Sequence, residues 1–353
     1  MQLLRRFMTF FAVLIFAGTA DFLLNPSDTY AKHVNSIKVQ SISRIHSHAY
    51  AVKKHAKLYT GVNFKHYIQA KHYLRTVWYR ERLAKLTVNG KKKSAFQLRS
   101  ANNKYTYWVF HSQVKGIACK SFKIALPAAG KRFVHKRIGV FGDSIPSGWD
   151  GYHFYLNDSY PDWTRKYLGS QPKLQNEAVP NAQIVGHEYR YVGGKYNKIV
   201  PRDISVVLKH NRKRIKLMNI IFVHAGTNDY TNWSGAGNLT NVSRHLYQEI
   251  RYIRKVNPKA KVYGILPISR FGNYGQNCGN LPNMYGYTLN QLRRVEAVIY
   301  KSLGATVVDF DRIAPRVITA ANRATTLQDH KIHPTSRTAQ KLGYYLAKWV
   351  IRQ

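Results

Sequence analysis

The chain has 353 residues, room for one large or two modest domains, and its 44% hydrophobic and 13% aromatic content argues against a disordered polymer. Its formal charge of +40 is far outside the ordinary range and points to a polyanionic partner: nucleic acid, anionic membrane or acidic wall polymer.

The N-terminus discriminates among these. Arg5 and Arg6 precede an apolar run from Phe7 to Ala17 and then small residues, the pattern of a secretory signal. Cleavage after Ala20 fits the pattern. Cleavage after Ala31 fits better, because Thr29 and Ala31 supply the small residues it requires, so residues 1–31 are expected to be a signal peptide. An uncleaved anchor is the competing reading, but the run is short for a membrane span. No later segment is long and apolar enough to cross a membrane. Export points away from nucleic acid and toward wall polymer, in a secreted, wall-associated protein. Cys119 and Cys278 could pair in that oxidising compartment or stay as separate thiols, since two cysteines give no framework to read.

Residues 32–50 are polar, rich in Ser, His and Lys, and read as a linker. Residues 51–117 carry short alternating segments: Ala56–Tyr59, Leu83–Val88, Ser94–Leu98 and Tyr105–Phe110. Asn89-Gly90 marks a hairpin between two of them. This spacing suggests a small β-barrel or sandwich. Between Lys32 and Arg137, Lys and Arg outnumber acids 24 to one, the acid being Glu81, so charge density is concentrated here. The stretch loosely resembles the SH3-like wall-binding modules of Gram-positive surface proteins, lactobacillus-type ones in particular. A basic, Tyr-rich β-module of that kind would hold an anionic wall polymer by charge and sugar rings by stacking. A solvated basic surface over a tyrosine-containing core is the plainer alternative.

Residues 118–136 read as a connector. From 137 to 353 the pattern changes to apolar strands alternating with amphipathic helices. Strands are expected at Ile138–Phe141, Leu174–Val179, Asn219–Val223, Val262–Ile268 and Thr306–Phe310. Helices are expected at Tyr160–Leu168, Val242–Val256, Thr288–Leu303 and Arg337–Ile351. Alternation of this kind implies an α/β fold, a parallel sheet with helices on both faces and catalytic groups at the carboxyl ends of its strands.

Three blocks fall at such places: Gly142-Asp143-Ser144, Gly226-Thr227-Asn228-Asp229, and Asp329-His330-Lys331-Ile332-His333-Pro334. Each alone reads as a turn or a helix cap. Together, in this order, they resemble the SGNH (GDSL-type) hydrolase family over the whole stretch from 137 to the C-terminus. The resemblance implies a flavodoxin-like three-layer fold and a serine esterase needing no cofactor or metal. Ser144 would be the nucleophile and His333 its base. An acid would orient the imidazole. The family pattern places that acid three residues before the histidine. Here that position is His330 and the carboxylate is one residue further away, at Asp329, which is the expected acid. The oxyanion donors would be the backbone N–H groups of Ser144 and Asn181 and the side chain of Asn228. Asn181 stands where the family has glycine, and Asn tolerates a left-handed backbone. Asp143 is read as shaping the serine turn, and Asp229 as a similar support.

The long polar and aromatic stretch Phe271–Tyr287 is expected to overhang the site, and its character suits a sugar better than an acyl chain. The expected activity is removal of O-acetyl groups from wall or extracellular polysaccharide. Two alternatives stand beside it. One is a catalytically impaired wall-binding or adhesion protein, suggested by the displaced Asp329 and by Asn181. The other is a secreted lipase or acyltransferase on the same triad.

Overall fold

The computed structural model describes residues 36–117, 124–154, 157–185, 189–192, 195–198, 203–231 and 237–353. The expected signal segment and Cys119, and with it the pairing to Cys278, lie outside them. Among the described residues no helix is long and apolar enough to cross a membrane.

The first described elements are strands β1 (Ile37–Arg44), within the stretch 32–50 expected to be a linker, and β2 (Ala49–Val52), which straddles its end. Among the described residues β1 pairs with one strand alone, and its Ile37 and Val39 are the side chains that pack on the core, so little apolar pattern marks it as a strand. Strands β3 (Lys57–Tyr59), β4 (Tyr67–Gln69), β5 (Trp78–Val88), β6 (Lys91–Ser100), β7 (Thr106–Phe110) and β8 (Val114–Gly116) follow. They form a sheet in the order β4-β3-β7-β6-β5-β2-β8, with β1 also on β5. Asn89 (φ 50°) and Gly90 (φ 76°) turn β5 into β6, both left-handed as a two-residue type I′ turn requires. Two apolar clusters fill this part: Leu58, Trp78, Phe96, Leu98 and Val109 in one, Tyr59, Phe64, Leu86 and Trp108 in the other.

The second part begins with β9 (Ile138–Gly142), α1 (Ser144–Ser147), α2 (Tyr160–Leu168) and β10 (Gln175–Asn176). A small hairpin, β11 (Tyr189–Val192) and β12 (Lys195–Lys198), leads to α3 (Ile204–His210), α4 (Arg212–Ile215) and β13 (Ile220–His224). Then come α5 (Leu239–Val256), β14 (Lys261–Ile265), α6 (Leu289–Ser302) and β15 (Thr306–Val308). α7 (Phe310–Ile313), α8 (Arg323–Thr326) and α9 (Ser336–Arg352) close the chain. The sheet is parallel, in the order β10-β9-β13-β14-β15. This is the flavodoxin-like order, whose direction of winding reverses at β9, and ligand crevices open at that reversal.

Side-chain alternation assigns the two faces. Ile138, Val140, Ile220, Phe222, Tyr263 and Ile265 pack against α2 and α9, while Phe141, Ile221, Val223 and Val262 pack against α3, α5 and α6. The helix ends are set by sequence. Ser159 and Asp162 make a capping box at α2, Thr288 and Gln291 make another at α6, and Thr335 caps α9. A Cβ at Gly343 would lie 2.4 Å from Trp163 Cβ, so glycine is what lets α9 approach α2 so closely.

The two parts belong to one compact unit, residues 37–353. Ala49 and Tyr79 share a buried cluster with Trp163 and Leu346, and the Tyr79 and Trp163 rings meet edge-on at 4.5 Å. Arg99 of β6 is fully buried between the parts. Its Nε donates to Glu81 Oε1 at 2.6 Å, its Nη2 to Asp158 at 3.0 and 3.1 Å, and its Nη1 to Gln340 Oε1. Ser336 Oγ donates to the same Asp158 carboxylate.

Candidate active site

β9 ends at Gly142 because no side chain fits there: a Cβ would lie 2.0 Å from the His224 carbonyl oxygen. The chain bends, and Asp143 caps the single turn of α1 by accepting the Ile145 N–H at 2.9 Å. Ser144 is thereby presented, almost fully buried, at the carboxyl end of β9.

His333 comes from the loop before α9. Its Nε2 lies 2.9 Å from Ser144 Oγ, and its Nδ1 lies 2.7 Å from Asp329 Oδ2. The extra residue between Asp329 and His333 is absorbed by His330, whose φ is +59°. That left-handed step folds the loop back over its own acid. Asp329 Oδ1 then accepts the N–H groups of Lys331, Ile332 and His333 at 2.9, 2.9 and 3.0 Å. Burial alone would raise this carboxyl, but the bonds from the His333 ring and from the Ile332 and His333 N–H groups hold it well below the usual range. His330, the residue at the usual acid position, makes no contact with the His333 ring among the described hydrogen bonds.

The second and third blocks sit beside the serine bend. Val179 donates to the Gly142 carbonyl at 2.9 Å. Val179-Pro180-Asn181-Ala182 is closed by a 3.0 Å bond from Ala182 N to Val179 O, with Asn181 at φ +65°. Pro at the second place and a positive φ at the third make it a type II turn, where Asn serves as glycine does. Asn228 follows β13, and its Nδ2 donates to Ala182 O at 2.9 Å. Asp229 is fully buried and accepts the N–H groups of Ile184 and Val185 at 3.0 and 2.9 Å. Burial pushes Asp229 up to about 6, against the pull of those two N–H groups. Burial likewise pushes Asp143 up to about 7, opposed by the Ile145 N–H and reinforced by Asp229. Ser144, His333, Asp329 and Asn228 thus gather at one end of the sheet, with the Asn181 turn tied to both strand ends.

Other residues stand at the site whose roles the sequence does not give. His224 is fully buried, with Nδ1 2.7 Å from Tyr160 Oη, and burial pushes it down to about 3, so it is neutral. Arg270 packs under the site, donating to Thr227 Oγ1 at 3.2 Å. Asp150 and Gly151 follow α1. A Cβ on Gly151 would lie 3.3 Å from His333 Nδ1, so this turn forms the wall beside the imidazole. Nothing in the sequence marks this turn's contact with the distant His333 loop. The stretch Phe271–Tyr287 borders the same loop: Phe271 N donates to Lys331 O at 2.9 Å and Lys331 Nζ to Asn273 Oδ1 at 2.6 Å. Tyr152, Phe154 and Tyr274 are exposed on these two rims. Among the described residues no group of His, Cys, Asp and Glu is placed to hold a metal ion.

Solved structures to which the chain is similar include a carbohydrate acetylesterase family member from Sinorhizobium meliloti, at 16% identity over 61% of this chain and 97% of that one, TM-score 0.45. A protein from Lactobacillus plantarum matches at 17% identity over 61% and 96%, TM-score 0.45. An aryl esterase from M. smegmatis matches at 18% identity over 61% and 98%, TM-score 0.45. No curated protein matches the chain. The sequence model of the GDSL-like Lipase/Acylhydrolase family matches residues 140–341, more than half of the chain and the whole span from the Ser144 block to the His333 block. The chain belongs to the GDSL-like lipase/acylhydrolase family and is a carboxylic ester hydrolase.

Proposed function

We propose that the protein is a secreted serine esterase that removes O-acetyl groups from cell-wall or extracellular polysaccharide. The observation that carries the mechanism is the unbroken chain Ser144 Oγ, His333 Nε2, His333 Nδ1, Asp329 Oδ2, with steps of 2.9 and 2.7 Å. His333 takes the serine proton as Oγ attacks the ester carbonyl, and returns it to the leaving alcohol. Asp329 fixes the tautomer with the proton on Nδ1 and stabilises the imidazolium. Water then repeats the sequence on the acyl-enzyme.

The developing oxyanion is received by the backbone N–H groups of Ser144 and Asn181 and by Asn228. One amide hydrogen of Asn228 is held by Ala182 O, which orients the group and leaves its second hydrogen for the oxyanion. The raised Asp143 matters here, because a fully charged carboxylate beside Ser144 would oppose the negative charge being formed.

The exposed Tyr152, Phe154 and Tyr274 give the rim flat faces on which sugar rings can stack. The antiparallel part adds exposed Tyr67 and Tyr105, with Lys57 Nζ 4.4 Å from the Tyr67 ring centre, a combination suited to an anionic, sugar-bearing wall polymer. The test is hydrolysis of p-nitrophenyl acetate and release of acetate from O-acetylated wall polysaccharide. Wild type is expected to be active on both and Ser144→Ala on neither. Equal rates for the two proteins would remove the mechanism, and a clear optimum at long acyl chains would move the substrate to lipid.

A further inference from the structure

The family match starts at residue 140, yet the loops that hold His333 and Asp329 are gripped from residue 44. Arg44 ends β1, the first strand of the antiparallel part. Its Nη1 donates to Asp150 Oδ2, and its Nη2 donates to Gln328 Oε1 at 2.6 Å. These acceptors belong to the turn that packs against His333 Nδ1 and to the loop that carries Asp329 and His333.

On one side, Asp150 is fully buried. Its other oxygen accepts the N–H groups of Tyr152 and His153 at 2.8 and 2.6 Å, which fixes the turn whose Gly151 lies against His333 Nδ1. On the other side, Gln328 immediately precedes Asp329, and its backbone N–H donates to the His333 carbonyl at 2.7 Å. A planar guanidinium spans both acceptors at once with fixed geometry, which a single ammonium does not. Without it, the buried Asp150 carboxylate keeps only His153 as a basic partner among the described residues, whose Nδ1 is 3.8 Å away and is cationic only when protonated, so the turn beside His333 loses its permanent cation.

We propose that Arg44 is a positioning residue for the reaction, so that the antiparallel part contributes to the active site and does not merely tether it. The inference rests on the Ser144–His333–Asp329 reading of the site. Arg44 touches neither substrate nor reacting atoms; it acts by holding the Asp150 turn and Gln328 in register with the His333–Asp329 pair.

The experiment compares full-length wild type, Arg44→Ala, Arg44→Lys, Gln328→Ala and, as a charge control on the far face, Arg251→Ala. Three quantities are read: kcat and KM on p-nitrophenyl acetate, the rate of Ser144 labelling by a fluorophosphonate, and the low-field proton signal of His333 Nδ1–H. Misplacing a catalytic group by up to 1 Å costs roughly 100-fold. Arg44→Ala is therefore expected to lose about 10- to 100-fold in kcat, with KM nearly unchanged. Labelling should slow in parallel and the Nδ1 proton signal should broaden or disappear. Guanidinium ion added at millimolar concentration should restore part of the rate. Arg44→Lys should fall between, Gln328→Ala should lose several-fold, and Arg251→Ala should match wild type.

Should Arg44→Ala fail to fold, Arg44→Lys and Gln328→Ala carry the test alone. Wild-type kcat, labelling and proton signal in those variants would overturn the proposal. A Ser144→Ala protein as active as wild type would instead overturn the underlying triad reading, and the two failures are told apart by that one control.

Discussion

Asp329 offers the sharpest test of the site, because the structure predicts that asparagine is worse there than alanine. Three backbone N–H groups converge on Oδ1. In Asp329→Asn they fix the amide oxygen at that position, since an NH2 group there would face three donors at a net loss of about 1 kcal/mol or more each. The amide nitrogen must then face His333 Nδ1, where it donates. That forces the imidazole proton onto Nε2, the atom that has to accept from Ser144. The wrong tautomer costs about 10⁴-fold in the analogous substitution of a well-studied serine protease, equivalent to ~5.5 kcal/mol of barrier. Asp329→Ala leaves the imidazole free to adopt either tautomer and should lose less than Asp329→Asn does. The assay is kcat/KM on p-nitrophenyl acetate, with circular dichroism to confirm folding. Asn retaining activity within tenfold of wild type, or exceeding Ala, would refute the argument that the loop dictates the tautomer.

Other outcomes follow from the same structure. Asn181→Gly should keep its stability and activity, whereas Asn181→Val, forced to φ +65°, should lose about 1–2 kcal/mol in denaturant unfolding along with much of its rate. Glu296 of α6 is fully buried, its carboxylate oxygens make no hydrogen bond among the described residues, and burial, with Asp229, raises it well above its ordinary 4.5. The folded protein keeps a proton that the unfolded chain gives up above that value, so this group costs stability increasingly as pH rises. Glu296→Gln should therefore gain on wild type between pH 5 and 8, by at most ~1.4 kcal/mol per pH unit, and equal gaps at both ends would exclude the charge argument. Full-length Ser144→Ala should be retained by anionic wall polymer and released steeply by salt, and salt-independent retention would argue against a charge-driven contact.

Much of the second part was legible because β9, β13 and β14 are buried on both faces and read as short apolar runs, each closed by turn-formers. The Ser144 and Asn228 blocks sit where such runs end. α2 was readable to the residue because Ser159, Pro161 and Gly169 punctuate it. The reach of Asp329 was not legible, since it turns on the left-handed conformation of a histidine, a local choice that tertiary contacts decide. β1 escaped notice because an edge strand can be polar on nearly every residue. Arg44 was invisible for a different reason. Among 56 Lys and Arg, nothing local distinguishes the one whose partners lie more than 100 and 280 residues away.

The buried Arg99 junction bears on how this polypeptide can be divided. Starting an expression fragment at residue 137, where the resemblance begins, would strip the cation from the Asp158 carboxylate and bare Trp163 and its neighbours to solvent. Such a fragment should be insoluble or inactive, while the intact chain from 37 onward should melt in a single cooperative step. Shuffling this protein's N-terminal part onto another hydrolase would thus require transplanting a shared interior, which a flexible joint does not demand.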